Sequence, residues 1–488
     1  MSPSAMQPIV IGAGPAGLSA AYELARQGVT STVLEGSSER VGGLSQTVQY
    51  RGFRFDIGGH RFFSKSAEIE NLWTEILGQE MISVPRSSRI LYKGRYYDYP
   101  LRARNAFVNL GPSETIRCLL SYALARLRPR QPARSFEDWV INQFGERLYS
   151  IFFKTYTEKV WGMSCQDISA DWAAQRIKGL SLLVAVQNAL FPSSGGRTVK
   201  TLIDNFRYPR LGPGMMWETL QTKLEHLGCA VELDSPVVKI AWSRDGNFTL
   251  VVGREPGSRT LQATHVLSSM PLREMILALE PAPPSRVLEA ARSLKYRDFV
   301  TAVLIIDQSD LFKDNWIYVH ESNVKVARIQ NYKNWSPDMV PDARYTGLGL
   351  EYFCFQGDGL WNSKDCDLLA MAREELALLR LADPARVVDG TIVRMPKAYP
   401  VYDDDYAESV AVIRAFLESE LPRLQVIGRN GMHRYNNQDH AMMTGLLAAR
   451  NVLGGGFNLW QVNGDAEYLE EDRQVCDGRA VPRALSNE

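Results

Sequence analysis

The feature that most constrains the fold lies near the start of the chain, where residues 8–17 read PIVIGAGPAG. An apolar run leads into Gly12, Gly14 and Gly17, and a helical pattern and a second apolar run, STVLE, follow. In a strand–turn–helix unit such glycines permit a tight turn, close approach of backbone N–H groups to a pyrophosphate, and packing of helix on strand. Glu35 stands 18 residues after Gly17, where a carboxylate can accept from a ribose hydroxyl. This pattern predicts a Rossmann-like dinucleotide-binding unit.

Composition narrows the classes of partner and chemistry. The 488 residues contain 55 Lys and Arg against 55 Asp and Glu, so no global basic field attracts nucleic acid and we expect none as a partner. The six cysteines have no metal-ligand spacing, and no metal site is predicted. The HExxH, GxSxG and Walker motifs are absent, so the chemistry should come from a cofactor. No signal-peptide pattern or long apolar run occurs, which predicts a soluble, cytoplasmic protein.

A second glycine motif decides between NAD and FAD. The segment GSSERVGGLSQT directly follows Glu35 and contains Arg40, Gly42 and Gly43. It resembles the second glycine signature of the large FAD family that contains amine oxidases, phytoene desaturases, protoporphyrinogen oxidases and sugar mutases. The resemblance implies FAD as the cofactor and an α/β fold with a Rossmann-like FAD-binding domain of the GR2 type.

The same resemblance implies that the FAD-binding domain is discontinuous in sequence, with inserted substrate domains. In its last part, a helix from about Asn437 would point its N-terminal N–H groups at the flavin and stabilise negative charge on the reduced form. The predicted FAD-binding domain comprises residues 1–61, 206–271 and 421–470. The predicted substrate domains are a mainly helical one at 62–205 and a strand-rich, mixed α/β one at 272–420, and 476–488 should be a loose tail.

A narrower resemblance comes from residues 144–162, FGERLYSIFFKTYTEKVWG. Tyr156 and Trp161 are five positions apart, which places them off any single stripe of a helix. The segment looks like the motif of UDP-galactopyranose mutases in which a tyrosine and a tryptophan flank the nucleotide, with a Lys-x-Trp-Gly ending. The resemblance implies that Tyr156 and Trp161 frame a uracil. The alternative is that both rings are core packing at a helix end.

Residues dispersed along the chain extend this resemblance. Arg176 in AAQRIKG and Arg328 in VARIQNYKNW match the two arginines of the mutases that bind the diphosphate. Tyr399 in AYPVYDDDY and Tyr435 in RYNNQD match the paired tyrosines that hydrogen-bond it. Two guanidinium groups and two phenols also suit a pyrophosphate on chemical grounds. Arg176, Arg328 and His60 are the expected catalytic residues.

The loop DIGGHRFF, residues 56–63, resembles the loop that lies beside the flavin in the mutases. It keeps His60 but has Phe63 where the mutases have a second histidine. This departure predicts that control of the reduced state beside the flavin N5 differs from that in the mutases. The residues expected to contact FAD are Gly12, Gly14, Gly17, Glu35, Arg40, Gly42, Gly43, Gly59, His60, Arg429, Asn437 and Asp439.

The leading functional prediction is an FAD-dependent mutase that interconverts the pyranose and furanose rings of a UDP-sugar or a similar nucleotide-activated sugar. In the mutase family N5 of reduced flavin is the nucleophile and no net electrons move, so we expect reduced FAD and an unidentified reductant as a partner. The alternative is a flavin oxidoreductase, an oxidase or dehydrogenase of an amine, polyene or sugar, because one fold hosts many reactions. A third hypothesis is a flavin-binding scaffold without catalysis.

Residues 115–135, TIRCLLSYALARLRPRQPARS, combine apolar residues with five arginines. Most such stretches are solvated helices, but a basic amphipathic segment can also lie on a membrane surface. Membrane contact would make a polyprenyl-linked sugar a candidate substrate.

Overall fold

The computed structural model describes residues 6–99, 101–170, 205–243 and 246–463. Arg176 and the predicted tail at 476–488 lie outside these described residues.

The described strands and helices are numbered here in chain order. The strands are β1 (Pro8–Ile11), β2 (Thr32–Leu34), β3 (Thr47–Tyr50), β4 (Phe53–Asp56), β5 (Met81–Pro85), β6 (Ser88–Tyr92), β7 (Arg95–Asp98), β8 (Asn205–Pro209), β9 (Ala230–Glu232), β10 (Val237–Trp242), β11 (Phe248–Val252), β12 (Arg259–Ala263), β13 (His265–Ser268), β14 (Leu279–Glu280), β15 (Tyr296–Ile306), β16 (Trp316–Val319), β17 (Arg328–Asn331), β18 (Thr346–Cys354), β19 (Val387–Pro400) and β20 (Leu424–Val426). The helices are α1 (Pro15–Arg26), α2 (Ala67–Leu77), α3 (Ala103–Leu110), α4 (Pro112–Leu127), α5 (Phe136–Phe144), α6 (Glu146–Tyr149), α7 (Thr155–Trp161), α8 (Gly214–His226), α9 (Leu272–Leu277), α10 (Ser285–Ser293), α11 (Tyr332–Trp335), α12 (Asp365–Leu378), α13 (Tyr406–Glu420), α14 (Gly428–Gly431) and α15 (Gln438–Val452).

A parallel five-stranded sheet in the order β20-β13-β1-β2-β9 forms the centre of the predicted FAD-binding part. Every residue of β1 is buried, as expected for a parallel strand covered on both faces. The helices α1 and α15 pack closely, because a Cβ added at Gly445 would lie 2.1 Å from the carbonyl oxygen of Ala16. The predicted α/β fold with a Rossmann-like core is confirmed, and its strands come from three separate stretches of sequence.

A seven-stranded sheet in the order β19-β15-β18-β17-β16-β6-β7 forms the second large unit. The strand β15, which lies next to the edge strand β19, is buried along its whole length. Two strands, β6 and β7, come from the segment predicted to be a separate helical domain, and β6 pairs in parallel with β16. Strands from both insertions, residues 62–205 and 272–420, thus share one sheet. The apolar Ile90 and Leu91 of β6 are buried by this pairing, which local periodicity does not reveal.

The predicted strand-rich insertion also contributes to the core around the parallel sheet. The short strand β14 pairs with β10, and α10 and α13 bury apolar residues such as Val287 and Ile413 in that core. The reason is that both helices have an apolar stripe that requires a partner surface. Within the first insertion, α5, α6 and α7 surround a core that includes Phe136, Val140 and Trp161.

Candidate functional site

The glycine loop between β1 and α1 forms an anion-binding turn. Gly12 has φ +96°, and its N–H donates to the carbonyl oxygen of Leu34 at 2.7 Å. A Cβ added at Gly17 would lie 1.9 Å from the carbonyl oxygen of Gly12, so only glycine fits there. No side chain of the described residues caps α1, whose N-cap residue is Gly14. The positive end of this helix is therefore left for an anion.

The Glu35 carboxylate is held at the end of β2 by two backbone N–H groups. Oε2 accepts from the N–H of Ala13 at 2.7 Å, and Oε1 accepts from the N–H of Ser37 at 2.9 Å. Each carboxylate oxygen accepts more than one hydrogen bond, so Glu35 keeps acceptor capacity for a ribose hydroxyl. The ribose contact itself stays a prediction.

The second glycine motif packs on the first. The N–H of Gly42 donates to the carbonyl oxygen of Ala13 at 2.8 Å, and a Cβ added at Gly43 would lie 3.4 Å from Cα of Gly14. Gly42 and Gly43 both have positive φ, at 105° and 54°. Arg40 donates from Nη1 to the carbonyl oxygen at the start of β3 at 3.0 Å. Two backbone turns therefore meet where the first motif predicts a pyrophosphate.

The N-terminus of α15 is joined to the loop after β4. Asn437 caps the helix and forms a capping box with His440. Asp439 is buried, and Oγ of Ser64 donates to its Oδ2 at 3.3 Å. The uncapped end of α1 and the close-packed glycine turns suit the pyrophosphate of a dinucleotide such as FAD, whereas the capping box already satisfies N–H groups at the start of α15. The residues present therefore fit the predicted cofactor.

The loop Ile57–His60 lies against the predicted substrate side. His60 Nε2 lies 2.6 Å from the carbonyl oxygen of Ile57. Burial lowers the pKa of His60 to about 4, and the charges of Arg429 and Arg328 act in the same direction. The imidazole is therefore neutral at pH 7. A Cβ added at Gly58 would lie 3.5 Å from an Nη atom of Arg328, so this glycine turn leaves room beside the guanidinium.

Arg328 is held by a buried carboxylate on the neighbouring strand. It pairs in register with Glu351, and its Nε donates to Oε2 of that residue. Gln330 Nε2 donates to the other oxygen of Glu351 at 2.9 Å. The Arg328 side chain is 15% exposed and that of Glu351 is fully buried. Burial lowers the pKa of Arg328, but the adjacent Glu351 carboxylate outweighs this and holds it well above its ordinary value, so the guanidinium stays charged.

Tyr399 and Tyr435 form a stacked pair, with ring centroids 5.6 Å apart and an interplanar angle of 24°. The guanidinium carbon of Arg429 lies 5.3 Å and 4.7 Å from the centroids of these two rings. Burial raises the pKa of Tyr399 to about 12, whereas the charges of Arg328 and Arg429 oppose the rise. Tyr399 therefore keeps its proton at neutral pH and can donate to an anionic ligand.

Tyr156 points into the same region from α7. Its ring stacks on His320 with centroids 5.0 Å apart and planes inclined by 9°, and it meets Tyr318 edge to face at 5.4 Å. Tyr156 and Tyr399 belong to one apolar cluster. Burial raises the pKa of Tyr156 well above its ordinary value, and the charge of Arg328 opposes this. The phenol is neutral at physiological pH.

Trp161 lies in a different cluster from Tyr156. A π-helical turn over Ser150–Lys154 precedes α7, and Trp161 ends the helix with only 3% of its surface exposed. Its ring centroid lies 6.4 Å from that of Tyr399 and 6.3 Å from that of Tyr402. The structure thus brings together Tyr156, Arg328, Tyr399, Tyr435, Arg429 and His60. Trp161 is buried beside that group.

Sequence reasoning missed the residues that position α7. Lys159 Nζ donates to the carbonyl oxygens of Val319, Glu321 and Val326 at 3.3, 2.6 and 3.0 Å. Arg297 donates from Nε to the carbonyl oxygen of Val160 at 3.0 Å, near the negative end of α7. Lys159 belongs to the Lys-x-Trp-Gly ending, so this motif could have pointed to it.

Arg297 and Glu351 could have been recognised from a different feature of the sequence. Each is a charged residue within a strand whose residues are mostly apolar and all buried, β15 and β18 respectively, and β15 also has the buried Asp298 next to Arg297. Charged residues are almost never fully buried unless they are paired. A charge in such a run therefore indicates a partner, although the sequence does not show which one.

A comparison with protein-family models matches residues 15–453 to the flavin containing amine oxidoreductases. The chain belongs to this family. Membership implies a flavin cofactor, which agrees with the glycine turns and the uncapped end of α1 described above.

Two curated proteins match parts of this flavin containing amine oxidoreductase. The hydrogen cyanide synthase subunit HcnB of Pseudomonas protegens is 36% identical over 87 residues, which are 18% of each chain. A putrescine oxidase of Kocuria rosea is 26% identical over 259 residues, 49% of this chain and 50% of the relative. The matched regions thus span half or less of the length of these relatives.

Solved structures resemble the chain over most of its length. A reduced UDP-galactopyranose mutase has a TM-score of 0.79 at 23% identity, with 92% of this chain and 96% of that chain covered. A putrescine oxidase bound to putrescine has a TM-score of 0.62 at 16% identity, with 92% and 99% covered. A fatty acid isomerase from P. acnes that produces CLA has a TM-score of 0.62 at 14% identity, with 92% and 99% covered. At these identities the likeness shows a shared fold.

None of the helices in the described ranges is long and apolar enough to cross a membrane. Within the same ranges, no group of three or more His, Cys, Asp and Glu side chains is arranged to hold a metal ion.

Proposed function

We propose that this flavoprotein is an FAD-dependent mutase that interconverts the ring forms of a nucleotide-activated sugar, such as a UDP-sugar, without net redox change. The observation that carries the proposal is the buried, charged Arg328 with the neutral phenols of Tyr156 and Tyr399 around it. A fixed cation and phenolic donors suit the diphosphate of a nucleotide sugar.

Arg328 would stabilise the charge that develops on the leaving diphosphate. Its Nε is occupied by Glu351, while its two Nη atoms lie 3.5 and 3.8 Å from the positions of Cβ atoms added at Gly58 and Gly59. A side chain at either glycine would restrict the approach of a ligand to these nitrogens. Donors fixed before the reaction stabilise developing charge without reorganisation, so Arg328 should affect rate as well as affinity.

The aromatic residues would bind the remaining parts of the substrate. Tyr156 is the proposed stacking partner of the uracil, and the stacked Tyr399 and Tyr435 would donate their hydroxyl protons to the diphosphate. Because Trp161 is buried, it would support Tyr399 from the core side and expose little ring surface to a base. Arg176, which lies outside the described residues, is the proposed second diphosphate arginine.

The cofactor would supply a nucleophile when it is bound in its reduced form. His60 and Arg429 are proposed to lie beside it. The neutral imidazole of His60 can act as a hydrogen-bond donor or acceptor without adding charge, while Arg429 adds a positive charge that favours an anionic reduced cofactor.

An oxidoreductase remains the second candidate, and one observation weighs against an amine substrate. Arg328 and Arg429 place two guanidinium groups at the site, and Glu351 is directed at the Nε of only one of them. A protonated amine would be repelled by this net positive charge, whereas a diphosphate would be attracted. This charge repulsion does not apply to an oxidase of a polyene or a sugar, because these substrates carry no positive charge.

The test is a titration of the dithionite-reduced protein with UDP and with UDP-sugars under nitrogen, followed by flavin absorbance and by chromatography of the sugar. UDP binding together with formation of a ring isomer supports the proposal. Absence of UDP binding, together with reduction of the oxidised flavin by an amine, polyene or free sugar, would assign the protein to the oxidoreductases.

A further inference from the structure

The helix α4 directs its large apolar side chains away from the protein. Among its residues only Cys118 and Ala125 are buried. The exposed large apolar residues and their exposed fractions are Ile116 57%, Leu119 40%, Leu120 61%, Leu124 62% and Leu127 79%. A helix on the surface of a globular protein normally shows the reverse arrangement, with its apolar stripe facing the core. The exposed stripe of α4 therefore requires an explanation.

Arginines border this stripe on both sides. At 100° per residue, the arc from Leu119 to Leu124 covers about 140° and contains the other exposed apolar residues of α4. Arg126 lies within about 20° of one edge of this arc and Arg117 within about 20° of the other. A stripe of leucines flanked by long basic side chains is the pattern of a helix that lies in a membrane interface, with charged groups reaching the lipid headgroups.

The whole segment is strongly basic although the chain is neutral. Residues 101–130 contain six arginines and one acidic residue, a net charge of +5, against a formal net charge of zero for the 488 residues. Arg117 is paired with Glu114, and Arg130 with acidic residues of α5. Four of the six make no ion pair with any described residue: Arg102, Arg104, Arg126 and Arg128. This local excess of positive charge is complementary to an anionic surface.

We propose that α4 docks the protein on the surface of an anionic lipid membrane. Hydrocarbon would cover Leu120, Leu124 and Leu127, and anionic headgroups would pair with the bordering arginines. A second copy of the chain is a poorer occupant, because a symmetric contact through α4 would bring the arginines of both copies together. The helix lies on the membrane and does not cross it, since it has only 16 residues.

Docking at α4 would place the membrane on the outer side of a helix whose inner face packs on a cluster next to the candidate site. The inner face of α4 contributes Cys118 to a cluster with Ile151, Phe152 and Tyr318. The ring of Tyr318 in turn contacts Tyr156 at 5.4 Å between centroids. The inference rests on α4 alone and holds whether the reaction is isomerisation or oxidation.

The experiment is co-sedimentation of the full-length holoprotein with sucrose-loaded vesicles. One set contains phosphatidylcholine with phosphatidylglycerol, and the other contains phosphatidylcholine alone. We expect binding to the anionic vesicles that weakens as salt is raised, and little binding to the neutral ones. The double variant Arg126→Gln, Arg128→Gln should lower the partition constant about 25-fold, because each basic residue near the surface contributes about 1 kcal/mol, or about fivefold.

Matched variants separate docking from general effects of substitution. Leu120→Ser with Leu124→Ser should abolish vesicle binding, whereas Leu378→Ser, at a residue of α12 that is 61% exposed, should leave it unchanged. Flavin content should be the same in all variants because these side chains are on the surface. Equal binding to both vesicle types, no binding, or unchanged binding of the α4 variants would each overturn the proposal. The proposal would also be overturned if light scattering showed that the wild type is a dimer and that the Leu120→Ser, Leu124→Ser variant is a monomer.

Discussion

The substitution Arg328→Ala tests the proposed diphosphate site most sharply. It removes the only described guanidinium that is paired with the fully buried Glu351, on the adjacent strand. If Arg328 binds the diphosphate, reduced protein should bind UDP more weakly and lose turnover, while FAD stays bound because the glycine turns are untouched.

Arg328→Ala should change two free energies, that of UDP binding and that of unfolding. A hydrogen bond to a charged group is worth about 1.5–3 kcal/mol, so the dissociation constant for UDP should rise about 10- to 150-fold. The free energy of unfolding should fall, since removal of one partner of a buried ion pair costs about 3–5 kcal/mol when the other stays charged. Burial already raises the pKa of Glu351, so part of this cost is avoided if that residue takes up a proton.

The double variant Arg328→Ala, Glu351→Gln separates the loss of UDP affinity from the loss of stability. It removes the uncompensated carboxylate, so we expect the free energy of unfolding in denaturant to recover toward that of the wild type. The weakened binding of UDP, measured by calorimetry on the reduced protein, should persist. Wild-type affinity for UDP in a folded double variant that retains FAD would refute the role of Arg328 in binding the diphosphate.

Three further predictions concern the base, the cofactor and pH. Tyr156→Ala should weaken UDP binding by about 1–3 kcal/mol, whereas Tyr156→Phe should keep the stacking and bind UDP more tightly than the Ala variant. If Tyr156→Ala binds UDP as tightly as the wild type in calorimetry, Tyr156 lies outside the site. Gly17→Ala should lose FAD, seen in the flavin absorbance of purified protein, because its Cβ would lie 1.9 Å from a carbonyl oxygen, and Gly359→Ala, which meets nothing within 4 Å, should retain it. Burial lowers the pKa of His433 to about 4, so the unfolded chain binds the extra proton below about pH 6.5 and stability falls as the pH drops from there toward 4. His433→Asn should reduce the pH dependence of the unfolding free energy by about 1.4 kcal/mol per pH unit in denaturant titrations. An unchanged pH dependence would contradict the lowered pKa of His433. Burial raises the pKa of Asp56 to about 7, which gives the opposite pH dependence, but this contribution is the same in both proteins and cancels in the comparison.

The parts of the site that depend on local sequence could be predicted. The glycine turn after β1 requires residues within ten positions of one another, and the structure places Gly12, Gly14 and Gly17 as expected. The sequence predicts a helix from about Asn437, and Asn437 is the N-cap of α15. Turns and caps are specified by neighbours along the chain, which explains why these features can be recognised.

Features that depend on pairing between distant segments could not be predicted. Glu351 binds Arg328 because β17 and β18 pair in one particular register, and neither strand's own sequence contains that information. The same holds for β6, which joins a sheet formed mostly by a later part of the chain. Tyr156 and Trp161 lie on the same helix, α7, but in two apolar clusters that share Tyr399, so the sequence alone does not show which ring surface is left for a ligand.

The most direct test of the central claim is an anaerobic turnover experiment with reduced protein and a set of UDP-sugars, in which sugar products and the flavin spectrum are followed together. We expect many turnovers of ring isomerisation, no turnover with oxidised flavin, and no consumption of reductant as product accumulates. Product formed in proportion to electrons transferred, or formed equally well with oxidised flavin, would contradict it.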